Sequence, residues 1–186
     1  MNAIFAEKTD EELAALVRGN NNDAFGVLMN RYQPKLLRYG KKFLANEENI
    51  KDVVQEVFIK TYQSMQSFDA TRSFSTWIYR IAHNAFANAI RKKNRDPVIF
   101  LDFDALTAHP GYEIDPAGEE ERKEMQILID KGLEVLTPNY REILTLYYIE
   151  ELSYQAIADI LRVPMGTVGV RLSRAREALK NYVHGK

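Results

Sequence analysis

The chain has 186 residues, a formal net charge of −1 and 46% hydrophobic residues, so it can build one medium domain or two small ones. It contains no cysteine and its three histidines are dispersed, which excludes disulfides, cysteine catalysis and thiolate or histidine metal sites. The N-terminal residues do not resemble a signal peptide and no apolar run is long enough to span a membrane, so we expect a cytoplasmic protein that does not insert into membranes.

The first part of the chain predicts two helices. Thr9 and Glu12 have the spacing of a capping box, which opens a short helix that runs to Gly19. A second helix is expected over residues 23–44, with large apolar and aromatic side chains on one stripe. Pro34 lies inside this helix and predicts a kink or a break, because proline lacks the backbone donor that a helix interior needs.

Two further helices follow, and their apolar periodicity is stronger. The third is expected over residues 47–65, with its core face formed by Ile50, Val53, Val54, Val57, Phe58 and Tyr62. The fourth begins near Ser73 and has the most regular apolar stripe, which consists of Phe74, Trp77, Ile78, Ile81, Ala82, Ala85, Phe86, Ala89 and Ile90. No segment alternates as a β-strand does, so the chain is interpreted as all-α.

The polar face of the fourth predicted helix indicates nucleic-acid binding. Its polar stripe consists of Arg80, Asn84, Asn88, Arg91 and Arg95. The stripe reaches a basic run at residues 91–93. Amides and cations beside aromatic rings are typical of surfaces that hold unstacked single-stranded bases, and the nearby rings are Phe68, Phe74, Trp77 and Tyr79. Trp77 and Phe86 fall on the apolar stripe and are interpreted as core, whereas Phe74 fits either role. The basic run also fits a solvated helix end that the helix dipole favours.

An acidic segment separates the two halves of the chain. Residues 97–124 hold 2 Lys or Arg against 8 Asp or Glu. The preceding residues 1–96 hold 15 against 11, and the following residues 125–186 hold 8 against 7. The acidic segment also contains several prolines and glycines and lacks sustained helical periodicity. It is therefore interpreted as a linker.

The C-terminal part has the pattern of a helix-turn-helix. A short apolar helix from Ser153 is followed by a break at residues 162–164 and by a second helix with several arginines. The second helix is expected to face a core with Val168, Leu172, Ala175, Leu179 and Val183. Its opposite face is expected to carry Thr167, Val170, Arg171 and Arg174, with arginines placed to enter a major groove. The alternative is an ordinary surface helix with solvated charges.

The chain closely resembles bacterial RNA polymerase sigma factors of the extracytoplasmic-function (ECF) type. The resemblance is carried by residues 52–65, residues 68–93 and the helix-turn-helix, and it covers essentially the whole chain. The resemblance implies an all-α protein with two small helical domains joined by an acidic linker. These are a four-helix region 2 over residues 9–96, the linker over 97–124 and region 4 over 125–184. It also implies a factor that binds core polymerase, recognises the minus-10 and minus-35 promoter elements and initiates transcription, without being an enzyme and without a cofactor or metal.

The same resemblance implies roles for individual residues. The segment that docks on the clamp helices of the largest polymerase subunit matches Asp52, Gln55, Glu56 and Phe58. The minus-10 element is expected to meet Phe74, Arg80, Asn84, Asn88, Arg91 and Lys92. A flipped base needs donors and acceptors for its edge, and amides supply both. The minus-35 element is expected to meet Thr167, Val170, Arg171, Ser173 and Arg174.

One departure from the family concerns the recognition helix. Gly169 and Val170 stand where relatives usually carry a Lys or Arg and then a Ser. A base-edge cation is therefore missing, and Val170 is expected to contact a thymine methyl group instead, which would shift the minus-35 preference. Gly169 inside a helix costs roughly 1 kcal/mol relative to alanine.

The expected partners are core polymerase, including the flap of its second subunit, promoter DNA and an anti-sigma factor. The chain is expected to be monomeric when free or bound one-to-one to the anti-sigma factor, and to bind duplex DNA weakly outside the holoenzyme. One alternative is a stand-alone helix-turn-helix regulator that acts as a dimer on a palindromic site. Another is a helical nuclease that would use Asp52 and Glu56 as metal ligands.

Overall fold

Eight α-helices and no strand make up residues 5–93 and 119–184, which are the parts of the chain that the computed structural model describes. The helices are α1 Asp10–Arg18, α2 Asn22–Gly40, α3 Glu47–Gln63, α4 Phe74–Lys93, α5 Glu119–Gly132, α6 Pro138–Leu144, α7 Tyr154–Leu161 and α8 Met165–His184. The all-α prediction is confirmed. The chain divides into two compact units, Met1–Pro97 and Val98–Lys186. No helix of the described residues has the length and apolar character needed to cross a membrane.

The helix starts of unit 1 follow from local side-chain chemistry. At α1 the Thr9 hydroxyl accepts a hydrogen bond from the Glu12 backbone N–H at 3.2 Å, and the Glu12 carboxylate accepts one from the Thr9 N–H at 2.8 Å. The predicted capping box is therefore confirmed. Asn21 and Asn46 cap α2 and α3 in the simpler way, each accepting one backbone N–H with its side-chain oxygen.

The second helix differs from its prediction in two respects. It continues through Pro34, so of the kink or break predicted there the break is absent, and it stops at Gly40 instead of residue 44. Gly40 is buried at the point where α2 meets α3 and α4. A Cβ atom added there would lie 2.5 Å from Phe86 Cζ and 2.6 Å from Ile50 Cγ2. The absence of a side chain at this position therefore sets how closely the three helices approach.

Aromatic rings hold α4 against α2 in the core of unit 1. The Tyr39 ring lies 5.3 Å from the Tyr79 ring and 5.8 Å from the Phe86 ring, and all three residues are buried. Their edge-to-face arrangement contributes about 0.5–1.5 kcal/mol per pair beyond the burial of apolar area. The rigid inner side of α4 positions the polar residues on its outer side.

In unit 2, α8 packs against α5, α6 and α7. The predicted helix-turn-helix is confirmed as α7 and α8. Arg162 ends α7 in a left-handed conformation with φ 56°. The predicted core residues Val168, Leu172, Ala175 and Leu179 are fully buried, and Val183 is half-buried. The first residues of α5, from Glu119, fall inside the segment interpreted as a linker, whose preceding residues lie outside the described ones.

Candidate promoter and polymerase interfaces

The outer face of α4 carries an ordered row of amides and cations. Asn84, Asn88, Arg91 and Lys92 are exposed, and Arg80 is half-buried. Asn84 Nδ2 donates a hydrogen bond to the Arg80 carbonyl at 2.9 Å, and an Arg91 guanidinium nitrogen donates one to Asn88 Oδ1 at 3.1 Å. These bonds orient both amides. They leave the Asn84 carbonyl oxygen and the Asn88 amide nitrogen for a ligand. Arg95, the last residue of the predicted stripe, lies outside the described residues.

Phe74 is a core residue, and the expectation that it contacts DNA is wrong for this structure. Its side chain is fully buried, with the ring 5.4 Å from that of Tyr32 and 5.5 Å from that of Phe68. A ring enclosed in this way has no free face for a base. Phe86 is also fully buried, as predicted, whereas Trp77 is half-buried with its ring 4.9 Å from that of Phe68. Trp77 is therefore the aromatic residue of this cluster that also reaches the surface.

The loop before α4 is closed by one exposed carboxylate. Asp69 Oδ1 accepts hydrogen bonds from the Thr71 hydroxyl at 2.7 Å and the Thr71 N–H at 3.0 Å. These bonds hold the pKa of Asp69 below its ordinary value, because they favour the ionised form. Arg72 lies 3.6 Å from the other carboxylate oxygen. The loop thus has a defined conformation where the chain enters α4.

A groove of about 770 Å³ runs between α2 and α3 on another side of unit 1. It is lined by Asn22, Phe25, Met29, Gln33, Leu37, Lys51, Val54, Gln55, Phe58, Ile59, Tyr62 and Gln63. Its rim is apolar: the exposed fraction of Ile59 is 51% and that of Tyr62 is 45%. The core position predicted for Tyr62 is wrong, because this side chain lies exposed at the rim of the groove. Its ring packs on that of Phe25 at 5.1 Å, and its hydroxyl donates a hydrogen bond to Asn22 at 2.9 Å.

The four residues matched to polymerase binding lie in or beside this groove. Gln55 and Phe58 line it, and Asp52 and Glu56 are exposed on the same helix. Glu56 pairs with Lys60 at 2.6 Å, one turn along α3. Sequence reasoning missed the wall formed by α2, because the spacing of its apolar residues fits a core stripe equally well.

The recognition helix α8 exposes fewer residues than predicted. The exposed fraction of Val170 is 5% and that of Arg171 is 7%, so their placement on the exposed face is wrong. Arg171 follows Val168 by three residues and precedes Ala175 by four, which places it on the core stripe. Burial lowers the pKa of Arg171. Neither the thymine contact expected of Val170 nor the DNA contact expected of Arg171 is available in this conformation, whereas Thr167, Ser173 and Arg174 are half-buried.

Two family models match this chain, one in each half. The family model of sigma-70 region 2 matches residues 28–96, and that of sigma-70 region 4 matches residues 126–179. The ECF RNA polymerase sigma factor SigW of Bacillus subtilis (strain 168) is 36% identical over 175 residues, which cover 90% of this chain and 92% of the relative. The ECF RNA polymerase sigma-E factor of Escherichia coli (strain K12) is 35% identical over 182 residues, 94% of each chain.

The chain belongs to the ECF sigma factors. It is a sigma factor that binds core RNA polymerase, recognises the minus-10 and minus-35 promoter elements and initiates transcription. The alternative of a stand-alone dimeric regulator is not favoured.

Solved structures share the fold of this ECF sigma factor. CnrH, determined in complex with the cytosolic domain of CnrY, has a TM-score of 0.69 at 24% identity and covers 96% of this chain and 99% of its own. The sigma factor RpoE of Bartonella quintana, determined with the anti-sigma factor NepR, has a TM-score of 0.62 at 24% identity and covers 86% of this chain and 96% of its own.

Proposed function

We propose that this ECF sigma factor reads the minus-10 element with the outer face of α4. The observation that carries the proposal is the pair of oriented amides, Asn84 and Asn88, in a row with Arg80, Arg91 and Lys92. A base taken out of the stack needs a hydrogen-bonding partner for its edge, and the cations neutralise the flanking phosphates. Because the aromatic core fixes α4, these groups meet the strand without reorganisation.

The minus-35 element meets the side chains of α8 that reach the surface. Arg174 is the principal cation of this set, with Thr167 and Ser173 beside it. An arginine on a recognition helix binds guanine or phosphate through two parallel hydrogen bonds. Arg171 and Val170 have a structural role instead, because their side chains are buried. A base contact at the start of α8 is then weaker than in relatives that carry a cation at the position of Gly169.

The groove between α2 and α3 docks on the clamp helices of the polymerase. Its apolar rim, formed by Ile59 and Tyr62, supplies area to bury, and the carboxylates of Asp52 and Glu56 complement basic residues on the partner. The flap of the second subunit contacts unit 2. Catalysis belongs to the polymerase, and the sigma factor acts in the cytoplasm without a cofactor or metal of its own.

An anti-sigma factor binds this chain one-to-one and keeps it from the polymerase. The proposal is supported by two solved relatives of the same fold, one determined with the cytosolic domain of CnrY and the other with the anti-sigma factor NepR. The free sigma factor is monomeric, since both of its DNA-binding surfaces act on one promoter.

The test compares DNA binding by the free chain and by the holoenzyme on a promoter selected from a randomised pool. Asn84→Ala and Asn88→Ala are each expected to weaken open-complex formation by roughly tenfold, because one base-edge contact contributes about 1–3 kcal/mol. Asn49→Ala, which removes an exposed amide on α3, is the matched control and should not change it. Tight binding of duplex DNA by the free chain at physiological salt would contradict the proposal.

A further inference from the structure

The short helix α1 precedes the segment that matches region 2, yet it is bonded to the loop that leads into α4. An Arg18 guanidinium nitrogen donates a hydrogen bond to the Phe68 carbonyl at 3.3 Å. Gln66 Nε2 donates one to the Arg18 carbonyl at 3.0 Å. The Phe74 backbone N–H donates one to Glu11 Oε1 at 2.9 Å. Three bonds from one helix therefore fasten both ends of this loop.

The bond from Phe74 to Glu11 fixes where α4 begins. Phe74 is the first residue of α4, and the first N–H groups of a helix have no partner within it. Ser73 caps α4 only weakly, since its hydroxyl is 3.4 Å from the Thr76 nitrogen. Glu11 adds a negative charge at the positive end of the helix, where it is favourable. A side chain from another helix thus completes the cap of α4.

The helix that supplies this cap is itself held firmly. Asp10 accepts a hydrogen bond from the Tyr32 hydroxyl at 2.6 Å and one from Arg31 at 2.7 Å, both on α2. Burial, followed by the bond to Asp10, raises the pKa of Tyr32, so the phenol stays protonated and remains a donor. Arg31 also donates hydrogen bonds to the carbonyls of Phe5, Ala6 and Lys8. The helix α1 is therefore a fixed support between α2 and the start of α4.

We infer that Glu11 and Arg18 are positioning residues for minus-10 recognition: they hold the loop of residues 68–73 and the first turn of α4 in the conformation that reads the unpaired strand. This inference rests on the proposed role of α4. We infer no contact between either residue and DNA. Both residues act through backbone groups, Arg18 through that of Phe68 and Glu11 through that of Phe74.

The chain offers a matched pair of variants on adjacent glutamates. Glu11→Ala removes the bond to α4, whereas Glu12→Ala removes the bond that closes the capping box of α1 and touches nothing in the loop. Each variant removes one charge-assisted capping bond that a side chain of α1 makes, so we expect similar decreases in melting temperature. Glu11→Gln keeps an oxygen acceptor for the Phe74 N–H and should restore much of the function. Arg18→Ala removes the side-chain bond at the other end of the loop and keeps the one that Gln66 donates to the Arg18 carbonyl, and this variant carries the test if Glu11→Ala does not fold.

The experiment measures which sequences the holoenzyme retains from fork-junction DNA with a randomised single-stranded minus-10 segment. Glu11→Ala and Arg18→Ala are expected to reduce the preference for the selected bases by roughly tenfold, whereas Glu12→Ala keeps the wild-type preference. Acrylamide quenching of Trp77, which packs on Phe68, should increase in Glu11→Ala and not in Glu12→Ala. This second readout does not depend on DNA.

Two results would overturn the inference: an unchanged preference in both Glu11→Ala and Arg18→Ala, or an equal loss in Glu12→Ala, which would place the effect in the stability of α1. Failure of the proposed function looks different. In that case the wild-type holoenzyme itself shows no preference, or Asn84→Ala retains the same sequences as the wild type.

Discussion

Gly40→Ala and Gly26→Ala, two substitutions in α2, are expected to change the stability of unit 1 in opposite directions. A Cβ at Gly40 would lie 2.5 Å from Phe86 Cζ and 2.6 Å from Ile50 Cγ2, closer than these atoms can approach. Both neighbours are buried, so neither can move away freely. Overpacking of this kind costs about 1–3 kcal/mol. Alanine recovers at most about 1 kcal/mol of helix propensity, and less at the end of a helix, so the net loss is about 1–2 kcal/mol.

Nothing lies within 4 Å of a Cβ added at Gly26, so Gly26→Ala should stabilise unit 1 by up to about 1 kcal/mol. The two variants should then differ by roughly 1–3 kcal/mol, which corresponds to melting temperatures roughly 5–20 °C apart for a unit of this size. The single tryptophan, Trp77, lies in unit 1, so its emission follows the unfolding of that unit. A Gly40→Ala protein as stable as the wild type would refute the packing argument.

Gly40→Ala also has a functional consequence. Phe86 lies on α4, the helix that carries Asn84 and Asn88. A side chain at residue 40 that displaces Phe86 also shifts the outer face of α4. Holoenzyme with Gly40→Ala should therefore bind the single-stranded minus-10 segment more weakly at temperatures where unit 1 is still folded. Equal binding under those conditions would show that the face tolerates the shift.

Three further predictions concern the other surfaces. Arg162→Gly should stabilise unit 2 by roughly 1 kcal/mol, because φ at this position is 56°, where glycine is unstrained; thermal unfolding followed by circular dichroism measures it. Arg171→Ala should cost unit 2 about 2 kcal/mol, since it removes a buried side chain and leaves a cavity, whereas Arg174→Ala, at a half-buried position, should lower the melting temperature less and weaken minus-35 binding. If the Arg171 variant instead weakens minus-35 binding without loss of stability, Arg171 belongs to the DNA interface. Ile59→Ser with Tyr62→Ser should raise the Kd for core polymerase by roughly 30-fold, because each half-exposed side chain adds about 1 kcal/mol when docking buries the remainder; titration of labelled sigma factor with core enzyme decides it.

Local signals in the sequence predicted the helices well. The capping box of Thr9 and Glu12 and the break at Arg162 depend on residues that are neighbours in the chain, so spacing alone identifies them. The core stripe of α8 from Val168 to Leu179 was predicted for the same reason. These features depend on contacts within one or two helical turns, and the spacing of residues in the sequence predicts such contacts.

The errors arose where a contact comes from another helix or where residue type was preferred to spacing. Arg171 was placed outside because it is charged, although its spacing places it on the buried stripe. Tyr62 was placed inside because it follows Phe58 by four residues, although Phe25 from α2 holds it at the rim of a groove. The bond between Glu11 and the Phe74 N–H joins residues far apart in the sequence, so no local pattern could predict it.

Transcription by purified core RNA polymerase, with and without this sigma factor and without any inhibitor, tests the central claim most directly. Sequencing of the transcript ends on a genomic template is expected to show new start sites only when the sigma factor is present. Each should lie downstream of the same two elements at a constant spacing. The claim is contradicted if the sigma factor does not associate with core enzyme and the start sites are the same in both reactions.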